Sequence, residues 1–176
     1  RSSAASDVYK RQRYKRLKVC NYRGIEELEV SFAESGITLI QGPNEIGKTS
    51  LSEAIGVLFE YYDNSKNRAV EATKPVDRDV SPEIELEAES GPYAFTYSKR
   101  FYKKAATSLS ITSPKPENLT GREAHERALE ILRETLDVSL WKALNVQQGD
   151  AIKLPELTGQ TWLSMALDRA AAAALA

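Results

Sequence analysis

Gly42-Pro43-Asn44-Glu45-Ile46-Gly47-Lys48-Thr49 satisfies the GxxxxGK(S/T) pattern at every fixed position, and no other stretch of the 176 residues restricts the fold so narrowly. Two glycines let a backbone wrap closely around phosphates, with successive N–H groups turned inward at the anion. Here Gly42 and Gly47 are those glycines, and Asn44, Glu45 and Ile46 lie between them. In this pattern the Lys48 ammonium reaches the β- and γ-phosphates and the Thr49 hydroxyl holds Mg²⁺. A working loop sits between a strand and a helix. Residues 36–41 (GITLIQ) form a short apolar run bounded by glycine, which predicts a buried parallel strand. Downstream, Leu51, Ala54, Ile55, Leu58, Phe59 and Tyr62 recur at the spacing of one helical face. The start of that helix adds its partial positive charge to the anion site.

Composition narrows the remaining choices. The chain is 41% hydrophobic and 28% charged, enough for one buried core. A net charge of −1 excludes a general nucleic-acid coat, so any DNA contact must come from a local patch. The single cysteine, Cys20, excludes an internal disulfide framework and reads as a small buried hydrophobe; no Cys/His cluster offers a zinc site. No apolar run reaches membrane-spanning length and no signal-peptide pattern opens the chain, which predicts a cytoplasmic protein with no membrane partner.

Residues 1–12 (RSSAASDVYKRQ) are patternless, and DVYKRQ reads as an in-frame translation of a sequencing-library adapter, so this stretch is expected to be a non-native leader. The alternative is a basic nucleic-acid-binding arm running on through Arg13, Lys15, Arg16 and Lys18. From Leu17 and Val19, then Ile25, Leu28, Val30 and Phe32, apolar and polar residues alternate, which predicts two strands joined at Asn21-Tyr22-Arg23-Gly24. Residues 63–82 are charged, carry two prolines and lack periodicity, as an exposed loop does. Alternation returns at Ile84, Leu86 and Ala88, again at Tyr93, Phe95 and Tyr97, and at Leu109 and Ile111, which predicts an antiparallel meander. The run Lys99-Arg100-Phe101-Tyr102-Lys103-Lys104 reads as the solvated end of a hairpin, with DNA-backbone contact as the alternative. Thr120 and Glu123 have capping-box spacing ahead of a helix that buries Ala128, Ile131, Leu132 and Leu136. His125, at the edge of that stripe, is expected to be half-exposed and not catalytic.

Two segments, RLKVCNYRGIEELEVSF and GITLIQGPNEIGKTSLSEAI, resemble the N-terminal lobe of ABC-type ATPase heads in the SMC/RecF/RecN superfamily, and within it the SbcC-type ATPases of DNA double-strand-break repair. The resemblance covers about residues 13 to 160. It implies an α/β, P-loop NTPase half-domain with a parallel core strand, an antiparallel β-meander and helices. It also implies that Ser50 contacts the α-phosphate, that Asn44 lies on the γ-phosphate side and that Arg23 lies near the nucleotide. By its residue chemistry alone, Arg23 is equally an ordinary hairpin-turn residue. The segment SLWKALNVQQGD resembles the Q-loop, which assigns Gln148, ahead of Gln147, to Mg²⁺ and the attacking water. A neutral amide suits that role because its carbonyl can ligate a metal while the group still hydrogen-bonds water.

Domains are accordingly expected at 13–158 for the head lobe and 159–176 for a helix at the root of a truncated coiled coil. The resemblance implies ATP and Mg²⁺ as cofactors. It implies as partners DNA, a C-terminal head lobe of the same protein, a second head in a head-to-head homodimer, and a metal-dependent nuclease subunit. Neither a Walker B segment nor an LSGG-like signature occurs in the 176 residues, so hydrolysis is expected only with that second lobe. NKxD and DxxG are absent, and guanine specificity has no support. The other readings are a RecF-like or SMC-like DNA-binding ATPase, a defence-system ATPase, and a non-catalytic SMC-like tether.

Overall fold

A computed structural model describes residues 12–42 and 47–136. Six strands form one sheet: β1 (Gln12–Tyr22), β2 (Ile25–Ser31), β3 (Glu83–Ser90), β4 (Tyr93–Arg100), β5 (Ala106–Ser113) and β6 (Glu117–Thr120). Their order is β2-β1-β3-β4-β5-β6, and every neighbouring pair is antiparallel. Helices α1 (Lys48–Glu60), α2 (Arg68–Glu71) and α3 (Gly121–Thr135) complete the described chain.

Alternation in the sequence becomes two faces because side chains on a strand point to opposite sides in turn. The register lines up Val30, Leu17, Leu86, Tyr97, Leu109 and Leu119 as one row across all six strands. Helices α1 and α3 pack over this face. Leu51, Ala54, Val57, Leu58 and Phe59 of α1, and Ala124, Ala128 and Ile131 of α3, join the sheet residues in one core. Tyr62 lies beyond the end of α1 and is half-exposed, so the buried helical stripe stops one turn earlier than its spacing predicts and takes in Val57 instead.

The opposite face is an ionic lattice. Arg16 reaches Glu29 at 3.1 Å, Glu85 at 2.5 Å and Glu87 at 3.6 Å. A register shift between Tyr14 and Arg16 brings Lys15 within 3.5 Å of Glu87 and 3.2 Å of Glu89. Lys18 pairs with Glu27 at 2.6 Å, and Arg13 with Glu34 at 3.4 Å. The basic arm is therefore not an arm: its four cations lie on β1 or its flank, each against a carboxylate.

Four expectations change. Residues 36–41 form no strand; Ile37 and Leu39 are 93% and 73% exposed. A parallel strand buried on both faces needs strand neighbours on both sides, and all six strands described here pair antiparallel among themselves. The expected loop at 63–82 contains α2, capped by the Asn67 side chain, which accepts from the Ala69 amide at 2.9 Å. The capping box does not form: Thr120 makes no side-chain cap bond, and Gly121 enters α3 at φ 63°, a left-handed conformation that glycine adopts freely. His125 is buried, at 2% exposure.

Candidate nucleotide-binding site

The described part of the phosphate loop is Gly42 and residues 47–50. Gly47 is the N-cap residue of α1 at φ 95°, with no side-chain cap bond and no acidic residue in the first turn. The first amides of the helix and its positive dipole end are thus left for an anion. A Cβ on Gly47 would fall 2.7 Å from Ile25 Cδ1 and 2.8 Å from Cγ1, so only glycine lets the start of α1 lie against Ile25 of β2. Lys48 Nζ donates to the Gly42 carbonyl at 2.8 Å, bringing the ammonium to the first glycine of the motif. Thr49 is exposed at the start of the helix, whereas Ser50 is buried. This arrangement fits a phosphate group: glycine-enabled close approach, uncapped helix amides, one ammonium and one open hydroxyl converge on one end of α1.

Arg23 sits on the neighbouring hairpin in the left-handed region, at φ 52°. Its amide donates to Thr73 O at 2.6 Å and its guanidinium pairs with Glu53, one turn beyond Thr49 on α1. A non-glycine residue held in this region stores strain, which the Thr73 and Glu53 contacts offset. These contacts fix the β1–β2 hairpin to the first turns of α1. Tyr22 beneath it is fully buried, with a hydroxyl that finds no hydrogen-bond partner among the described residues; burial pushes the phenol up to about 12. Asn44, Glu45 and Ile46, and Gln147 and Gln148 with the 159–176 helix, lie outside the described residues.

The cationic run at 99–104 presents little free charge. Arg100 pairs with Glu83 at 2.7 Å and Lys103 with Asp79. Lys99 is neither solvated nor on a DNA-facing surface, being 2% exposed with its ammonium beneath the end of α1. The sequence carried a signal for this. Position 99 continues the inward phase of Phe95 and Tyr97 on β4, and phase outweighs residue polarity when the chain supplies acceptors. Among the described residues no group of three or more His, Cys, Asp or Glu could hold a metal, and no helix is long and apolar enough to cross a membrane.

A family model described as an AAA domain matches residues 16–157. The uncharacterized protein Rv1278 of Mycobacterium tuberculosis is 46% identical over 156 residues, which is 89% of this chain and 18% of the relative. The Septu protein PtuA of Bacillus thuringiensis is 44% identical over 52 residues, 30% of this chain and 13% of PtuA. Among solved structures, one from work on ATP-driven dimerization and DNA-stimulated activation of SMC ATPases superposes with a TM-score of 0.54 at 15% identity, covering 88% of this chain and 98% of that one. The fold is that of an ABC/SMC-type P-loop head lobe. The chain spans about a fifth of the length of its 46%-identical mycobacterial relatives.

Proposed function

The chain belongs to the AAA domain family, and from that membership we propose that it is the ATP-binding first lobe of an SMC/RecF-type ATPase head. The observation that carries the reading is the loop itself: Lys48 closes over Gly42 at the uncapped start of α1. Lys48 turns from the Gly42 carbonyl to the β- and γ-phosphates, a change from a neutral to a charged acceptor that strengthens its hydrogen bond. Thr49 offers its hydroxyl to Mg²⁺, Ser50 serves the α-phosphate, and Gly42, Asn44, Glu45, Ile46 and Gly47 complete the nucleotide contacts, with Asn44 assigned to the γ-phosphate. Bound Mg²⁺ would neutralise charge on the phosphate oxygens. Gln148 positions the water. A second lobe, carried by the remainder of the protein, supplies the catalytic carboxylate and the signature serine, and without it the lobe binds ATP but does not turn it over.

In the fuller reading the lobe spans residues 13–158, the helix at 159–176 leads into a coiled coil, and two heads meet around ATP. The protein then serves DNA double-strand-break repair as SbcC-type ATPases do, beside a metal-dependent nuclease. The local likeness to PtuA favours a second reading, a defence-system ATPase built on the same lobe. Calorimetry with Mg-ATP tests the common core: wild-type chain should bind and Lys48→Ala should bind at least tenfold more weakly, since a lost charge-assisted contact is worth about 1.5–3 kcal/mol. Equal affinities would refute it. Steady ATP turnover by the chain alone, lost in Lys48→Ala, would refute the need for a second lobe.

A further inference from the structure

Glu53 lies one turn beyond Thr49 on α1, and residues four apart share a helical face. Helical side chains lean toward the N-terminus of their helix, which carries the Glu53 carboxylate back toward Thr49. A carboxylate there opposes an anion that Lys48 and the positive helix end attract. The β1–β2 hairpin supplies the answering charge: Arg23 Nη1 pairs with Glu53 Oε2. Ile25 of the same hairpin lies against Gly47, so Arg23 stands two residues from the side chain on which the start of α1 rests. Glu53 Oε2 is closed off from water, whereas the Arg23 side chain is 39% exposed. Beyond the Glu53 pair, the guanidinium has only the Tyr22 ring, 5.8 Å away, among the described residues. A guanidinium carries several N–H donors, and one carboxylate leaves most of them open to a further acceptor.

The hairpin turn shows that arginine is there for its side chain. Arg23 and Gly24 are the two residues between β1 and β2. Arg23 holds φ 52°, a region glycine enters freely, while Gly24 lies outside that region. Two-residue turns with a positive φ at their first position favour glycine there, so exchanging the two letters would relieve the backbone. The bond from the Arg23 amide to Thr73 O, 2.6 Å long, is a main-chain bond that glycine would keep. What arginine adds at this position is the guanidinium, and an ion pair this exposed adds little to stability. Backbone strain of this kind collects at functional sites.

We propose that Glu53 is a positioning residue of the nucleotide site: it fixes the Arg23 guanidinium beside the start of α1, so that the remaining N–H groups meet the phosphates as they arrive. This role rests on the reading of the loop as an ATP site and extends that site to a residue outside the GxxxxGK(S/T) pattern. Glu53 then acts on ATP in two opposed ways, by direct repulsion and by placing a cation, and the second is the larger. An arginine already held between a carboxylate and a ring loses less side-chain freedom when phosphate binds. Its planar fork donates to phosphate oxygens while Nη1 keeps Glu53, so the anion gains a charge-assisted contact without leaving the carboxylate unopposed.

Calorimetry with Mg-ATP on wild type, Glu53→Gln, Arg23→Gly and the double variant reads the sign of each effect. Glu53→Gln should weaken binding about fivefold, a coupling of the size found between contacting residues, although repulsion alone demands that it tighten. In the Arg23→Gly background the same exchange should leave binding unchanged or tighten it, because only repulsion remains to be removed. Glu53→Asp, which keeps the charge, should recover most of the affinity lost in Glu53→Gln. Arg23→Gly should weaken binding at least about tenfold, as the loss of a hydrogen bond to a charged group does, while preserving or raising the urea midpoint measured without nucleotide. Unchanged or tighter binding by Glu53→Gln in the wild-type background would overturn the role, and so would a loss of equal size in the Arg23→Gly background. A urea midpoint that falls in Arg23→Gly would return the pair to a structural duty and overturn it as well. Absence of Mg-ATP binding by the wild-type chain would sink the nucleotide reading itself and the positioning role with it, whereas binding that Glu53→Gln leaves unchanged sinks the role alone.

Discussion

Replacing Gly47 with alanine should destabilise the fold before any nucleotide is considered, and the loss has two separable parts. At φ 95° an L-residue meets its own backbone, a cost of about 1–2 kcal/mol. The new methyl would also lie 2.7 Å from Ile25 Cδ1 and 2.8 Å from Cγ1, where carbon atoms prefer about 3.5–4.0 Å. Ile25 is buried and cannot swing clear into solvent, so overpacking adds about 1–3 kcal/mol. The total expected from urea denaturation without nucleotide is about 2–5 kcal/mol with an unchanged m-value. Ile25→Val removes the nearer atom and should cost about 0.5–1.5 kcal/mol alone. In the double variant it should recover part of the steric share while leaving the backbone share, a coupling of about 1 kcal/mol between contacting residues. A Gly47→Ala loss under about 0.5 kcal/mol, the range of ordinary surface changes, or strict additivity with Ile25→Val, would refute the packing of Gly47 on Ile25.

Other outcomes follow from single side chains. His125 carries a depressed value of about 4 when folded against about 6.5 when unfolded, so the unfolded chain binds the proton first. Its contribution is complete above about pH 6.5 and is lost as pH falls toward 4, a span on the order of 3 kcal/mol; urea midpoints across that window should fall less steeply in His125→Gln. Tyr22→Phe removes a buried hydroxyl with no partner among the described residues and should leave stability unchanged or raise it by up to about 1 kcal/mol, read as a higher urea midpoint. Leu39→Ser, at a position 73% exposed, should change stability by less than about 0.5 kcal/mol; a loss of 2 kcal/mol or more, the cost of emptying a core site, would restore the buried strand.

What could be read from the chain was whatever local periodicity decides. The turn at residues 21–24, the pairing of β1 with β2 and the meander from Ile84 to Ile111 all follow from a two-residue alternation that one buried face enforces. The helix after Lys48 follows from its stripe and from Gly47. The failures share a cause, since each depended on what lies across from a residue. An apolar run at 36–41 has the composition of a buried strand, but burial needs partner strands that its own letters do not specify. Lys99 was read by its charge, whereas its place on β4 and two carbonyls at the end of α1 decide its burial. His125 was judged without a sequence neighbour; its partners are 26 and 28 positions away. At Thr120 the left-handed Gly121 turned the chain so that the side-chain cap was not made. Of the site, the contact of Lys48 with the Gly42 carbonyl and that of Arg23 with Glu53 are additions that only three dimensions supply.

The ionic lattice on the open face of the sheet bears on how this surface can drift over evolutionary time. Arg16 lies between three carboxylates contributed by two different strands, so an apolar exchange there would leave Glu29 and Glu85 without an ion-pair partner among the described residues and Glu87 with Lys15 alone. Carboxylates gathered around one cation repel once it is removed, and an isolated exposed pair contributes only about 0–1 kcal/mol. Each single exchange is therefore slightly harmful and each matched pair nearly neutral. Related chains should alter Arg16 together with Glu85 or Glu87, and Lys18 together with Glu27, as coordinated swaps of sign. Lys104, which is exposed at the tip of the β4–β5 connection and shows no ion pair among the described residues, should vary on its own.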